Sequence, residues 1–306
     1  MLTSLCTKYY QFILCQGILG GISSGLVYAP AAAVLGHYFH RKRPMVMGIC
    51  ASGSAIAGIL FPIIINQLLN YTTLGFGWTQ RIVGFIILPM SLIACLTIRP
   101  GVPPRKGTYL LPEAFKNKAY SFQVAGLFLT CWGVFTPFFY LPTYAQEQGM
   151  SVGMSFYLIT ILNSGSFVGR LVAGGLGVRI GQFNVLAVGT SVCSILIFCW
   201  LRVQSNPALI IFSVFYGVFS GAVIGTMIST LMQVAPHPSQ MGTYLGMASG
   251  IFGTAALTGT PITGAMIAHF GGFEQAIVFS GVVSLAGSFL IFCSRFAYAP
   301  KGAFIV

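Results

Sequence analysis

Long apolar runs recur along the whole chain, and they limit what it can fold into more than any other feature. An α-helix needs about 20 mostly apolar residues to cross the hydrocarbon core of a bilayer. Only 6% of the 306 residues are charged and 56% are hydrophobic, whereas soluble domains carry about 25% charged residues. The sequence therefore predicts an all-α, multi-pass protein of the lipid bilayer. We place nine transmembrane helices at 10–38, 44–69, 80–98, 120–145, 153–177, 184–202, 208–234, 241–268 and 275–297.

The basic residues predict the orientation of these helices. The net charge of +12 does not indicate nucleic-acid binding, because the basic residues lie in short clusters between apolar runs. With alternate sides assigned, eleven of the 15 Lys and Arg residues fall on one side and Lys8, Arg81 and Arg202 on the other. Cytoplasmic loops are enriched in Lys and Arg, so we expect a cytoplasmic C-terminus. We expect the plasma membrane, with a vacuolar or other internal membrane as the alternative.

The nine spans fall into three groups of three, the repeating unit of many transporters. We therefore divide the chain into a partial N-terminal half of three helices (1–98), a cytoplasmic central loop (99–119), a complete six-helix half (120–298) and a cytoplasmic tail (299–306). An odd number of spans places the N-terminus outside, which we expect if a first three-helix unit is missing. The alternative to a transporter is a truncated, non-transporting remnant, because nine helices leave one wall of a two-sided cavity incomplete.

Small residues spaced by four let helix backbones approach closely in a membrane. This spacing occurs repeatedly, and at each place it predicts a close helix contact. The sets are Gly21/Gly25, Gly165/Gly169, Gly217/Gly221/Gly225 and Gly242/Gly246/Gly250.

Of the Lys and Arg residues, only Arg170 lies in the interior of a predicted span and not near its end, at a cost of about 2.5–3.5 kcal/mol on insertion scales. The three acids of the chain all fall in predicted loops, so no intramembrane carboxylate can neutralise Arg170. Asn163, Ser166 and Arg170 are spaced by three and four and so share one helix face. Such a stripe suits the wall of an aqueous cavity, where the guanidinium can bind a carboxylate of the substrate in a bidentate manner. The alternative is an arginine that extends to the cytoplasmic interface.

A second polar stripe on the span at 208–234 includes Thr226 and Ser229, which are also candidate substrate contacts. Hydroxyls bonded to their own helix are an equal alternative. We expect no cofactor and no metal, because the eight cysteines form no CxxC pair. An enzyme embedded in the membrane is disfavoured, since its acid–base groups would have to lie in the spans.

Several segments together resemble the monocarboxylate transporter family of the major facilitator superfamily, particularly its fungal members. They cover nearly the whole chain in the expected order. Tyr140, in the third of them, completes the set of candidate substrate contacts. The segments are GILGGISSGLVYAPAAAVLGHYFHRKRPMVMGICASGSAIAG (17–58), GFGWTQRIVGF (75–85), FFYLPTYAQEQG (138–149), ILNSGSFVGRLVAGGLGVRIGQFN (161–184) and YGVFSGAVIGTMISTL (216–231).

The resemblance implies a twelve-helix bundle in two halves, alternating access and a central site for organic anions. It aligns the first span here with the fourth helix of the family. It also places the family arginine that meets the substrate carboxylate on Arg170. Two carboxylate positions of the family hold Ser166 and Val178 instead. The function implied is transport of a small organic anion or metabolite, with or without a coupled proton, as uptake or as export.

Overall fold

The computed structural model describes residues 1–39, 42–99, 101 and 110–299. Nine helices in these ranges are long and apolar enough to cross a membrane, which confirms the predicted number. The first contains a π-helical segment, Ile13–Leu19. The helices are α1 (Tyr9–Tyr38), α2 (Arg43–Asn70), α3 (Gly75–Thr97), α4 (Lys118–Glu147), α5 (Val152–Ile180), α6 (Gln182–Trp200), α7 (Asn206–Gln233), α8 (Met241–Phe270) and α9 (Glu274–Tyr298).

Several predicted boundaries differ from the structure, and the start of α3 differs most. The helix α3 begins at Gly75 rather than at residue 80, and the Thr79 hydroxyl donates to the Gly75 carbonyl at 2.9 Å in its first turn. Glu147 and Glu274 are the last residue of α4 and the first of α9, not loop residues. Parts of the predicted central loop (102–109) and of the predicted tail (300–306) lie outside the described residues.

The six C-terminal helices pack closely, with the most extensive contacts between α5 and α7 and between α4 and α9. Buried rings stack in their interior. The Trp200 and Phe212 centroids are 5.9 Å apart, and those of Phe212 and Tyr216 are 5.4 Å apart. The Tyr216 hydroxyl donates to the Val134 carbonyl of α4 at 2.6 Å, so the buried phenol has its partner.

Glycine brings α5 and α7 into backbone contact. A Cβ on Gly169 would lie 1.9 Å from the Val218 carbonyl oxygen, and a Cβ on Gly217 would lie 2.2 Å from the Leu162 carbonyl oxygen. Only residues without a side chain allow this approach, which confirms the contact predicted from the glycine spacing.

At other positions the same glycine spacing predicts a close helix contact that the structure does not contain among the described residues. A Cβ on Gly246 or Gly250 of α8 would meet nothing within 4 Å in the described structure, and the same holds for Gly21 and Gly25 of α1. The predicted close contacts at these glycines are therefore wrong for the packing seen here.

The three N-terminal helices join the other six mainly through α2, which lies against α5. Gly48 of α2 approaches Arg170 and Gly174, whereas Gly58 approaches Asn163, so the two helices run antiparallel. A Cβ on Gly48 would lie 2.6 Å from the Arg170 carbonyl oxygen. This contact brings the predicted stripe of α5 against the N-terminal helices.

Candidate functional site

Arg170 lies in the contact between α2 and α5 and is only 4% exposed. Its Nη1 donates to the Ala51 carbonyl oxygen and to Ser54 Oγ, both at 2.7 Å. The guanidinium therefore has hydrogen-bond partners in the protein, and both of them are neutral groups. A carbonyl and a hydroxyl of the neighbouring helix accept the hydrogen bonds that a carboxylate would otherwise accept. Such oxygens are acceptors that even a strongly apolar sequence contains.

The three groups form a closed triangle of hydrogen bonds. Ser54 Oγ accepts from Arg170 and donates to the Ala51 carbonyl oxygen at 3.0 Å. The Arg170 Nε is buried and has no acceptor in the described residues. Two neutral acceptors do not cancel a unit charge, so the positive charge of Arg170 remains an attraction for an anion at this level of the bundle.

Arg170 also lies deeper than the sequence predicted. The helix α5 extends to Ile180, ten residues beyond Arg170, which corresponds to about 15 Å at 1.5 Å per residue. The guanidinium turns sideways to α2 and not towards the end of its own helix. This direction disagrees with an arginine that extends to the cytoplasmic interface.

A cavity of about 710 Å³ lies elsewhere, between α8 and the Leu110–Phe115 segment, but a cavity of about 640 Å³ lies next to Arg170. This second cavity is formed by α1, α2, α3 and α7, and we call it the Ser54 cavity. Its volume is typical of a site for a small organic molecule. Its walls are mainly apolar and include five hydroxyl groups, on Ser23, Ser24, Tyr28, Ser54 and Ser91.

Tyr28 and Ser54 connect this cavity to Arg170. Ser54 is exposed on the cavity wall and accepts a hydrogen bond from the guanidinium. Tyr28 is 41% exposed and lies close enough to Arg170 for the two groups to interact electrostatically. The charge of Arg170 therefore acts on the cavity, although its side chain is buried behind the wall.

The other two residues of the α5 stripe lie outside the cavity wall. The Asn163 amide donates to the Ile159 carbonyl of its own helix at 3.0 Å and packs against Gly58 of α2. Ser166 is fully buried against α7, where a Cβ on Gly221 would lie 2.3 Å from the Ser166 carbonyl oxygen. The hydroxyl of Ser166 has no hydrogen-bond partner in the described structure.

The remaining candidates also have partners within the protein. Thr226 donates to the Ala222 carbonyl of its own helix at 2.7 Å, which is the alternative considered for this stripe. Ser229 donates to the side chain of Gln182 at the start of α6. Tyr140 donates to the Thr260 carbonyl of α8 at 2.9 Å. The structure thus does not bring the six candidates together, and their roles as substrate contacts stay predictions.

Sequence reasoning missed Ser54 and Tyr28. One signal was present, because small residues recur on α2 at Gly48, Ala51, Ala55 and Gly58 and predict a face that packs against another helix. That face identifies α2 as a contact helix. It does not identify Arg170 as the residue opposite.

Comparison with known proteins assigns the family. A family model described as the major facilitator superfamily matches residues 1–238 and 165–304. The aspyridones efflux protein apdF of Emericella nidulans is 47% identical over 295 residues, covering 96% of this chain and 60% of that protein. The MFS-type transporter pynF of Aspergillus niger is 38% identical over 306 residues, covering 98% of this chain and 70% of that protein.

A solved structure agrees on the fold. The transporter FucP, crystallised in the outward conformation, superposes with a TM-score of 0.66 over 89% of this chain and 72% of that one, at 17% sequence identity. The chain belongs to the major facilitator superfamily. It spans 60% of the length of the Emericella nidulans relative and 65% of that of a fujikurins efflux protein from Gibberella fujikuroi.

Proposed function

We propose that this chain acts as a membrane transporter that moves a small organic anion or related metabolite, of the monocarboxylate type, by alternating access. The observation that carries the proposal is Arg170, a buried cation whose hydrogen-bond acceptors among the described residues are neutral and which lies beside a cavity of about 640 Å³. An unneutralised cation is costly in a membrane. An anionic substrate would supply the missing charge when it binds.

Export is the proposed direction. Three of the relatives are named as efflux proteins, for aspyridones, agnestins and fujikurins. These names favour a metabolite of a biosynthetic pathway as the substrate. The size and the mainly apolar walls of the Ser54 cavity fit a molecule larger than a simple monocarboxylate, with few polar groups.

The contact between α2 and α5 is the proposed boundary between the two moving units. It separates the N-terminal unit at 1–98 from the six-helix unit at 120–298. In alternating access, two such units rock around a site between them. Arg170 reaches across this boundary to α2, which would allow its bonds to change as the units move.

Substitution of Arg170 tests the proposal directly. With the purified chain in proteoliposomes loaded with 2-naphthoate, we expect Arg170→Ala to abolish release of the probe. Arg170→Lys should retain part of it, because a lysine keeps the charge but loses the planar fork of donors. The matched control is Arg179→Ala, which removes an exposed arginine from the same helix.

Normal release by correctly folded Arg170→Ala protein would refute the role of Arg170 in anion transport. If liposomes with the unmodified chain release the probe no faster than protein-free liposomes loaded with the same probe, the result favours the alternative of a non-transporting remnant. Folding of each variant is checked by size-exclusion chromatography before reconstitution.

A further inference from the structure

The burial of Arg170 limits which side chains a ligand in the Ser54 cavity can touch. Arg170 is only 4% exposed, so it presents almost no surface to a ligand. The exposed residue that it touches on the cavity wall is Ser54, whose Oγ accepts its hydrogen bond at 2.7 Å. A ligand in the cavity therefore meets the serine before it meets the arginine.

We propose that Ser54 is the residue that contacts the acidic group of the substrate, with Arg170 acting through it as a positioning residue. This inference rests on the proposed function. It assigns the contact to a hydroxyl on α2 and not to the guanidinium itself. The ligand class is an amphipathic organic acid, with its anionic oxygen at Ser54 and its apolar part against the isoleucines at the cavity wall, Ile87, Ile224 and Ile228.

The hydrogen-bond triangle gives the physical reason. A hydroxyl that accepts from a cation becomes a stronger donor, because chains of hydrogen bonds polarise one another. Ser54 accepts from Arg170 and gives its own proton to the Ala51 carbonyl at 3.0 Å. A rotation about the Cβ–Oγ bond transfers this O–H from Ala51 to an anion in the cavity.

The rotation costs no other group its hydrogen bond. The Ala51 carbonyl oxygen keeps its hydrogen bond from Arg170 Nη1 at 2.7 Å when the serine turns away. The guanidinium keeps both of its acceptors. Binding of an anion thus requires no movement of the buried arginine, only of one hydroxyl hydrogen.

Tyr28 provides a second donor on α1. Tyr28 lines the same cavity and lies within electrostatic range of Arg170. No hydrogen bond of the Tyr28 hydroxyl is found among the described residues. A phenol in this position can donate to a second oxygen of the same carboxylate, which would favour an acid over its amide.

The test measures binding of two probes of nearly equal shape, the anion 2-naphthoate and the neutral 2-naphthamide. Each is titrated into the purified full chain in detergent and followed by naphthalene fluorescence. We expect Ser54→Ala to weaken 2-naphthoate binding about tenfold and to leave 2-naphthamide binding within twofold. Ser54→Thr, which keeps the hydroxyl, should restore the affinity for the anion.

Ser52→Ala is the matched control. Ser52 lies two residues away on α2, is 6% exposed, and its hydroxyl donates to the Ile49 carbonyl of its own helix at 2.6 Å. Its removal deletes the same hydroxyl group from the same helix without touching Arg170. Both probes should bind to this variant as they do to the unmodified chain.

Three outcomes would overturn the inference. If Ser54→Ala binds 2-naphthoate normally while Arg170→Ala does not, the anion meets the arginine directly, and the proposed function stands without the role of Ser54. If Ser54→Ala weakens both probes equally, the serine has only a structural role. If the unmodified chain does not prefer the anion to the amide, the anionic site itself is refuted, together with the proposed substrate class.

Discussion

In α1, α2 and α3, 11%, 17% and 6% of the most apolar 18-residue stretch is buried, whereas the share is 56% in each of α4, α6 and α7. The two regions nevertheless have similarly apolar helices. Hydropathy measures the preference of a helix for lipid over water, and lipid satisfies that preference as well as another helix does. What differs is the shape of the helix faces and the partners that lie opposite them.

The C-terminal region is held by two kinds of contact that apolar surface alone does not supply. One is the close approach of α5 and α7 at their glycines. The other is a series of hydroxyl pairs between α6 and α9, in which Ser194 donates to Ser284 at 2.9 Å and Ser191 pairs with Ser288 at 2.8 Å. Interhelical hydrogen bonds of this kind stabilise membrane bundles by roughly 0.6 kcal/mol each.

The largest effect on this comparison is expected from Gly169→Ala. The new Cβ would lie 1.9 Å from the Val218 carbonyl oxygen, so α5 and α7 must separate. Overpacking of this kind costs about 1–3 kcal/mol. We expect a lower midpoint of thermal unfolding in detergent, measured by tryptophan fluorescence.

Gly175→Ala, on the same helix, is the control for Gly169→Ala. Its Cβ would meet nothing within 4 Å in the described structure, so it should unfold at the normal temperature. Equal midpoints for the two variants would contradict the glycine contact.

A smaller effect is expected from Gly48→Ala, which places a Cβ 2.6 Å from the Arg170 carbonyl oxygen. It should loosen α2 from α5 and cost about 1 kcal/mol, while the contacts among the six C-terminal helices remain. Hydrogen exchange measured by mass spectrometry should accelerate in α2 and α5 and stay unchanged in α9. Gly53→Ala is the control, because its Cβ would meet nothing within 4 Å among the described residues. Uniform acceleration in all helices would refute a local effect.

The smallest effect is expected from Gly246→Ala on α8, where the predicted contact stripe meets nothing in the described structure. The thermal stability should change by no more than about 0.5 kcal/mol. A large loss of stability in the same unfolding assay would mean that another helix covers this face of α8 in the membrane.

The number and extent of the spans could be predicted because each span must satisfy a bilayer by itself. The start of α3 could not be predicted, because the run NYTTLGFGW at 70–78 is typical of a loop. In the structure Gly75 adopts a φ of +71°, and the helix continues through Gly77 and Trp78. The Arg81 guanidinium lies over the Trp78 ring, 4.9 Å from its centroid, a contact that the sequence did not predict because two glycines precede the tryptophan.

The glycine stripes show a different limit. The triplets Gly217/Gly221/Gly225 and Gly242/Gly246/Gly250 have the same spacing, yet only the first packs against α5. In the described part of the chain, a Cβ on either of the last two glycines of the second would meet nothing within 4 Å. A stripe of small residues allows another helix to approach closely. Which helix packs against the stripe depends on the tertiary structure. The partners of Arg170 could not be predicted for the same reason.

The connection between α5 and α6 consists of Gly181 alone, with a φ of +89°, a conformation that favours glycine. A connection of one residue leaves almost no free chain between the two helices, so we expect α5 and α6 to move together. A movement of α5 relative to α2 would then move α6 as well, the helix that ends at Trp200. A spectroscopic label at that end would report, from a distance, on the state of the cavity.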